Sequence, residues 1–421
     1  MYLIYIITSI ILILIIRKQG RNSFNPLIIY ISIWLFVVSL YNIRLIPYND
    51  TSPLTWLIII FTPISIWLGY ASLHSITPNS NYTVKSFFNH SKLAYLKPII
   101  YIFGTLLLIR AISIWFGIYF RFGSFSAAFT NGDMIYNMSR KGEWAPGIGF
   151  YIPVDLISLF FAGIYHKLIG RLNSLIIIVL FSALLVHIGL QSRFGLLMDF
   201  AIYFGAYMGA NNAYLKIKFL SILKFILLSI IFITIISFSR NLSESNVLSG
   251  EWGDYGDTFL PSIYYYLTNG IAGLNEYIII GKDETNLLYS FNPILYLFSF
   301  IDPMISVNIY ETKTYYTPAP TIIATWIRFL IDDFGFVGTF LVLYLYGVLL
   351  KYIEFKLRKI FSVFLICIYA HISAIFVLSF FSYGFFISSF WYSLIISSLI
   401  GLLIDSKQAK NLFGSITIKR R

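Results

Sequence analysis

Eleven stretches of this chain are apolar over nearly the thickness of a bilayer, and that repetition constrains the fold more than any other feature. They run approximately over 2 to 16, 26 to 46, 54 to 76, 99 to 118, 149 to 165, 173 to 189, 194 to 210, 219 to 238, 334 to 350, 361 to 381 and 386 to 404. Roughly 20 apolar residues carry a helix across the hydrocarbon core, and in lipid the helix is the form that satisfies its own backbone hydrogen bonds. The whole chain is 58% hydrophobic and 11% charged, with a mean hydropathy of +0.80. A soluble domain carries about 25% charged residues, so this composition excludes one. The expected fold is an all-α polytopic membrane protein with about 11 spans, in a range of about 10 to 12. The first run is short, but no basic residue precedes it and no small-residue cleavage site follows it, so it is expected to remain as a helix. The single cysteine, Cys367, lies in an apolar run and has no partner for an intrachain disulfide.

Orientation follows from the basic residues of alternate loops. One side carries Arg17, Lys18 and Arg21, Lys85, Lys92 and Lys97, Lys167 and Arg171, Lys216, Lys218 and Lys224, Lys351, Lys356, Arg358 and Lys359, and Lys407, Lys410, Lys419, Arg420 and Arg421, 20 in all. The other carries Arg44, Arg121, Arg140, Lys141, Arg193, Arg240, Lys282, Lys313 and Arg328, which is 9, and Arg110 falls inside a helix. Basic loops remain in the cytoplasm. The net charge of +12 is therefore read as a topology signal and not as a nucleic-acid footprint. The N-terminus is expected outside and the C-terminal tail inside. Residues 1 to 238 form the first eight spans with an outer loop at 119 to 148. Residues 239 to 333 form a large external loop, and 334 to 421 the last three spans and a basic tail.

The two sides differ in kind as well as number. Of the 20 inner cations 14 are Lys, whereas 6 of the 9 outer ones are Arg. Lysine is a flexible point charge suited to headgroups, while arginine presents a planar fork that grips phosphate bidentately. Outer arginines therefore point to a phosphate-bearing ligand, against the alternative that they pair with carboxylates or snorkel to lipid. Arg193, in the short turn Gly189-Leu-Gln-Ser-Arg193-Phe-Gly195, has no acidic neighbour in sequence. Arg240 ends a very apolar helix, and Arg328 precedes Asp332-Asp333-Phe-Gly335. The loop 239 to 333 is too long to be a bare connection. Its segments 263 to 280 and 286 to 305 are expected as amphipathic or re-entrant helices, with Asn269, Asn275 and Glu276 arguing against a full crossing of the first. Its aromatic residues, Tyr265, Tyr277 and Trp326 among them, suit stacking on sugars as well as an interfacial belt.

Acidic residues cluster outside at Glu244, Glu251, Asp254 and Asp257 and at Asp332 and Asp333. No Asp-x-Asp pair, His-x-x-His or Glu-x-x-His motif occurs, so neither a resident metal nor another cofactor is indicated. His187 is the one histidine near the outer face and is read as structural. Gly-rich phosphate loops, a Gly-x-Ser-x-Gly elbow and internal repeats are absent. Ionisable residues within the helices are few, chiefly Arg110, Asp155 and Asp199, which is sparse for ion-coupled transport.

The order and topology of several short motifs resemble the Wzy-type polymerases of O-antigen and other oligosaccharide repeat units. These are a short first helix followed by Arg17-Lys-Gln-Gly-Arg21 and Asn25-Pro26, the hairpin turn with Gln-Ser-Arg193, the segment from Ser262 to Tyr277, and Asp333-Phe-Gly335 followed by Gly338. The resemblance covers most of the chain. It implies a GT-C-like glycosyltransferase of the bacterial cytoplasmic membrane, acting at the outer face without metal or cofactor. Such an enzyme moves a growing glycan from undecaprenyl diphosphate to a hydroxyl of the next lipid-linked unit, for O-antigen, capsule or exopolysaccharide synthesis. The implied partners are that lipid-linked oligosaccharide, membrane lipids, a chain-length regulator and a flippase, with no nucleic acid. On this reading Arg193, Arg240, Arg328 and Arg121 hold the diphosphate, whose charge grows as it leaves. Asp333, or else Glu276, takes the acceptor's proton, and Tyr265, Tyr277 and Trp326 meet sugar. Asp333 also suits an N-cap. An O-antigen ligase and a polysaccharide flippase or exporter remain as alternatives. The first is disfavoured because neither long outer loop contains a histidine, the second because it calls for more helices and shorter loops.

Overall fold

A computed structural model describes residues 1–19, 25–73, 90–140, 143–144, 146–147, 153–211, 259–281, 288–298, 315–317, 319–321 and 324–418. The described chain is helical throughout except for one small hairpin. Its helices are α1 (Tyr2–Gln19), α2 (Pro26–Ile43), α3 (Pro53–Ser72), α4 (His90–Phe122), α5 (Ala127–Thr130), α6 (Gly132–Arg140), α7 (Val154–Ile169), α8 (Ser174–Gly189) and α9 (Arg193–Ala210). After these come α10 (Phe259–Ile280), α11 (Leu288–Phe298), α12 (Trp326–Lys359), α13 (Val363–Leu378) and α14 (Ser388–Ile418). Strands β1 (Tyr315–Thr317) and β2 (Ala319–Thr321) pair antiparallel, with Tyr315 opposite Thr321.

Ten of the eleven expected spans fall on described helices, and the eighth, 219 to 238, lies outside the described residues. Five helices are long and apolar enough to cross a membrane: Pro26–Ile43, Pro53–Ser72, Leu93–Phe122, Trp326–Lys359 and Ser388–Ser406. Ser174–Gly189 and Val363–Leu378 are shorter apolar helices. The surface matches that character, with Phe120, Leu14, Phe181, Leu341 and Leu403 exposed as they would be toward lipid tails. Helix starts follow familiar chemistry. Asn25, Ser52, Asn173, Ser192 and Ser362 each accept a hydrogen bond from a first-turn amide, and Pro26 and Pro53 occupy first positions where a missing N–H costs nothing.

Two expected boundaries move for physical reasons. α4 begins at His90, nine residues before the apolar run expected from 99, because Lys92 and Lys97 end hydrophobicity without ending helicity. α12 begins at Trp326, eight residues before 334, and breaks at Gly335, whose φ of 69° and ψ of 179° suit only glycine. The stretch from Trp326 to Asp333 is buried throughout, whereas Val337, just past the break, is 85% exposed. One apolar run thus contains a short internal helix followed by a lipid-facing one. The lipid-facing part crosses α3 at close range, with Gly347 against the Ile66 carbonyl and Gly69 against that of Tyr344. Small residues at such crossings let backbones approach, which is the main source of helix association in lipid.

The centre is aromatic. Trp326 packs against Tyr30, Phe376, Tyr346 and Tyr383. Trp34 Nε1 donates to Ser379 Oγ at 2.8 Å, and the Trp326 amide donates to the Ser379 carbonyl at 3.0 Å. These bonds fix α2 and the start of α12 to the end of α13.

Candidate functional site

α10 organises the candidate site, and its polar residues explain why it lies where it does. Asn275 Oδ1 accepts from the Ser52 amide at 2.8 Å and from Thr55 Oγ1 at 3.0 Å, and Thr268 and Tyr48 share a 2.8 Å hydroxyl contact. Thr317 Oγ1 of β1 donates to Asn269 Oδ1 at 2.8 Å. The asparagines that argue against a crossing are the groups that bind α10 to the segment 44 to 55 and to the hairpin. Each is buried and paired, as buried amides must be.

Arg328, in the first turn of α12, has no exposed side-chain surface. Its guanidinium carbon lies 4.9 Å from the Tyr315 ring centre, 5.7 Å from that of Tyr277 and 5.5 Å from that of Phe329. Its Nε is 3.5 Å from Asp332 Oδ2, a long ion pair. Tyr277 donates to the other oxygen, Oδ1, at 2.6 Å. Burial, and then the charge of Asp332, hold the Tyr277 hydroxyl well above the ordinary tyrosine range, so it stays a donor. Arg328 Nη1 and Nη2 find no hydrogen-bond acceptor among the described residues. Fully enclosed guanidinium nitrogens without acceptors are costly, and here the rings of Tyr277, Tyr315 and Phe329 enclose them.

Arg193 opens α9 and is half-buried, its guanidinium carbon 5.6 Å from the Tyr266 ring centre. Tyr266 lies 4.4 Å from Phe381, which stacks on Phe194 at 5.6 Å. The turn beneath Arg193 is rigid. Gln191 takes a left-handed conformation with φ of 55°, and its buried amide donates to the Ala128 carbonyl at 2.8 Å and to that of Ile188 at 2.7 Å. Arg193 and Arg328 therefore meet the same helix at Tyr266 and Tyr277, eleven residues apart. At about 1.5 Å per residue the two tyrosines are roughly 16 Å apart along the helix axis. Arg121 is exposed at the end of α4, over Trp144 at 5.9 Å, and Arg240 lies outside the described residues.

The carboxylates are occupied. Asp333 accepts from the Tyr289 amide at 3.0 Å, the Ser290 amide at 2.7 Å and the Ser290 hydroxyl. It caps α11 and not the helix that carries it. Three donors therefore already occupy its oxygens. Glu276 is half-buried and accepts from Asn49 Nδ2 at 2.9 Å. Of the residues expected to meet sugar, Trp326 and Tyr277 are buried and Tyr265 is half-buried.

A second polar group was not assembled from sequence. Arg110 of α4, Asp155 of α7, His187 of α8 and Asp199 of α9 come together, with Arg110 Nη1 at 3.3 Å from Asp155 Oδ2 and His187 Nε2 at 2.7 Å from Asp199 Oδ2. Asp155, His187 and Asp199 each place a ligand atom within 4.8 Å of the others, the one set among the described residues with the composition for a metal ion. Aligning the helices by depth would have found it, since Asp155 starts α7, His187 nearly ends α8 and Asp199 lies in the second turn of α9.

No protein-family model matches this sequence, and neither a curated protein nor a solved structure shows significant similarity to it.

Proposed function

We propose that this chain is a polymerase of lipid-linked oligosaccharides, a metal-independent glycosyltransferase of the bacterial cytoplasmic membrane. It transfers a growing glycan from undecaprenyl diphosphate to the next lipid-linked repeat unit at the outer face, in O-antigen, capsule or exopolysaccharide synthesis. The proposed frame is GT-C-like, with about 11 spans, the N-terminus outside and the C-terminus inside. The bias of 20 inner against 9 outer basic residues supports that orientation.

The observation that carries the reading is Arg328, an enclosed guanidinium with two nitrogens lacking acceptors in a wall of Tyr277, Tyr315 and Phe329. The leaving group of the proposed reaction is a lipid diphosphate, and fixed cations with unfilled donors favour the charge it gains. Arg193 adds a more accessible cation on an aromatic platform at the other end of the same face of α10. Both arginines face α10, and together they serve the charged parts of the bound lipid-linked substrates. A strain deleted for this gene and complemented with Arg193→Lys or Arg328→Lys tests this. Single lipid-linked repeats are expected to accumulate with the protein still in the membrane, and unchanged polymer from both variants overturns it.

A further inference from the structure

The C-terminal end of α4 carries a closed group of aromatic rings that the bundle does not cover. Phe116, Tyr119, Phe120 and Phe125 are all exposed, Phe120 at 81%. Phe125 lies 4.9 Å from Tyr119 and 6.0 Å from Phe116, and Phe120 lies 6.2 Å from Phe116 and 6.0 Å from Tyr119. A contiguous apolar patch of this kind calls for a partner, because rings left in water forgo the free energy of burial.

The rest of α4 shows what covers them. Ile102, Ile109, Ile112, Phe116 and Phe120 are exposed at helical spacing, one stripe along a single face. That face belongs to Leu93–Phe122, long and apolar enough to cross a membrane, so the stripe meets lipid. Lys97, its ammonium 5.8 Å from the Tyr101 ring centre, suits one boundary of the bilayer, where lysines snorkel. From there to Phe116 is roughly 28 Å at about 1.5 Å per residue, against a hydrocarbon core about 30 Å thick. Phe116 therefore stands at the far edge of the core. Past it the chain turns back instead of leaving. Gly123, with φ of 74°, ends α4, and its amide donates to the Tyr119 carbonyl at 2.7 Å. The reversal sets Phe125, outside the spanning helix, against rings that face lipid. Arg121 stays exposed beyond Phe116 with its guanidinium carbon 5.9 Å from the Trp144 ring centre, a cation at headgroup level.

Behind the rings, the same piece of chain is tied to the turn that presents Arg193. The Ala128 carbonyl of α5 accepts from the buried Gln191 side chain at 2.8 Å, and Trp115 Nε1 donates to the Leu185 carbonyl at 3.1 Å. A Cβ on Gly189 would stand 2.6 Å from Ile114 Cγ2, so α4 and the end of α8 meet without space between them. The end of α4, α5 and the turn from Gly189 to Arg193 thus form one unit, with aromatic rings on one side and Arg193 on another.

We propose that Phe116, Tyr119, Phe120 and Phe125 form a docking surface for phospholipid of the adjoining leaflet, acyl chains on the rings and phosphate at Arg121, and that this contact sets the depth of the Arg193 turn. Two observations select phospholipid over a second copy of the chain. The rings continue the lipid-facing stripe of a spanning helix, and a cation stands at its headgroup end. A short helix held by its apolar side at the interface, with charge above it, follows the physics of interfacial anchors. The docking does not depend on the polymerase reading.

The test uses the full-length Cys367→Ser protein in nanodiscs of phosphatidylethanolamine and phosphatidylglycerol. A nitrobenzoxadiazole label is placed on Phe125→Cys or, as a lipid-facing reference, on Ile102→Cys. Phospholipid brominated along the acyl chain is expected to quench the two labels to within about twofold of each other, and iodide in the buffer is expected to quench neither. A label at 125 that iodide quenches and brominated lipid leaves bright puts the rings in water and overturns the docking. A label shielded from both shows protein over the face, a second copy included, and also overturns it. Quenching by brominated lipid that disappears when lipid-linked repeat units are added gives the surface to an isoprenoid chain and overturns phospholipid as its occupant. Depth is read from a label on Leu190→Cys, in the Arg193 turn. Adding Phe120→Ser and Phe125→Ser is expected to raise its iodide quenching by about twofold or more, while Phe120→Leu with Phe125→Leu keeps it at the starting value and guards against misfolding. Equal quenching in the Ser and Leu variants overturns the depth-setting role.

Discussion

Replacing Arg328 by Met separates what the guanidinium does for the fold from what it does for the reaction. Alone, Arg328→Met leaves Asp332 fully buried beside the Tyr277 hydroxyl without its cation. Breaking a buried pair in this way costs about 3–5 kcal/mol, enough to confuse misfolding with inactivity. Removing both charges avoids this. In Arg328→Met with Asp332→Asn the amide oxygen still accepts from Tyr277, and exchange of a whole buried pair for uncharged groups is close to neutral. The double variant should melt near wild type. Its chemistry should not survive if, as proposed, the two nitrogens without acceptors are the contacts offered to phosphate oxygens. Each charge-assisted bond is worth about 1.5–3 kcal/mol. Two give about 3–6 kcal/mol, or about 10²- to 10⁴-fold in rate at roughly 1.4 kcal/mol per tenfold. Thermal melting in nanodiscs gives the first quantity, and conversion of lipid-linked repeats to polymer on gels gives the second. A double variant that melts as wild type and polymerises within a few-fold of it would refute the reasoning, leaving Arg328 a structural ion pair.

Further outcomes follow from single side chains. Asp333→Asn keeps one of the two oxygens that accept from the amides of Tyr289 and Ser290, so it should retain polymer with part of the cap, whereas Asp333→Ala should lower stability by about 0.5–2 kcal/mol as the cap of α11 is lost, measured by melting. Gly335→Ala should cost about 1–3 kcal/mol by forcing a side chain into the conformation that only glycine adopts freely, again read by melting. In a Cys367→Ser background, Arg121→Cys should react with a membrane-impermeant maleimide added outside intact cells, since the residue is exposed and the proposed orientation puts this end of α4 outside.

How much of this was legible in the sequence differs by level. Helices were legible because lipid leaves one economical way to satisfy a backbone, and apolar length reports it directly. α10 was also legible, since Asn269, Asn275 and Glu276 are incompatible with a lipid-facing surface. What those residues bind was not, because Thr317 and Ser52 are distant in sequence and paired only by folding. Arg328 and Tyr277 were both singled out, and the structure joins them. Arg193 and Arg328 were expected to converge, and the structure sets them against Tyr266 and Tyr277 of one helix, a placement that arginines in separate loops do not show in sequence. Asp333 suited a cap, but its target is α11, a helix that precedes it in the chain. The buried His187 group was missed for a related reason. Its four members sit in four helices, and each alone reads as an isolated polar residue in an apolar run.

The central claim is that this protein polymerises lipid-linked glycans by cation stabilisation of a departing lipid diphosphate. The most direct measurement takes the purified protein in nanodiscs, adds lipid-linked repeat units alone, and resolves the products with and without EDTA. A ladder of lengthening glycans, unaffected by the chelator and lost in Arg193→Lys, is the predicted result. Repeat units that stay single with the folded wild-type protein, or a ladder that Arg193→Lys and the Arg328→Met, Asp332→Asn double variant leave intact, would contradict it.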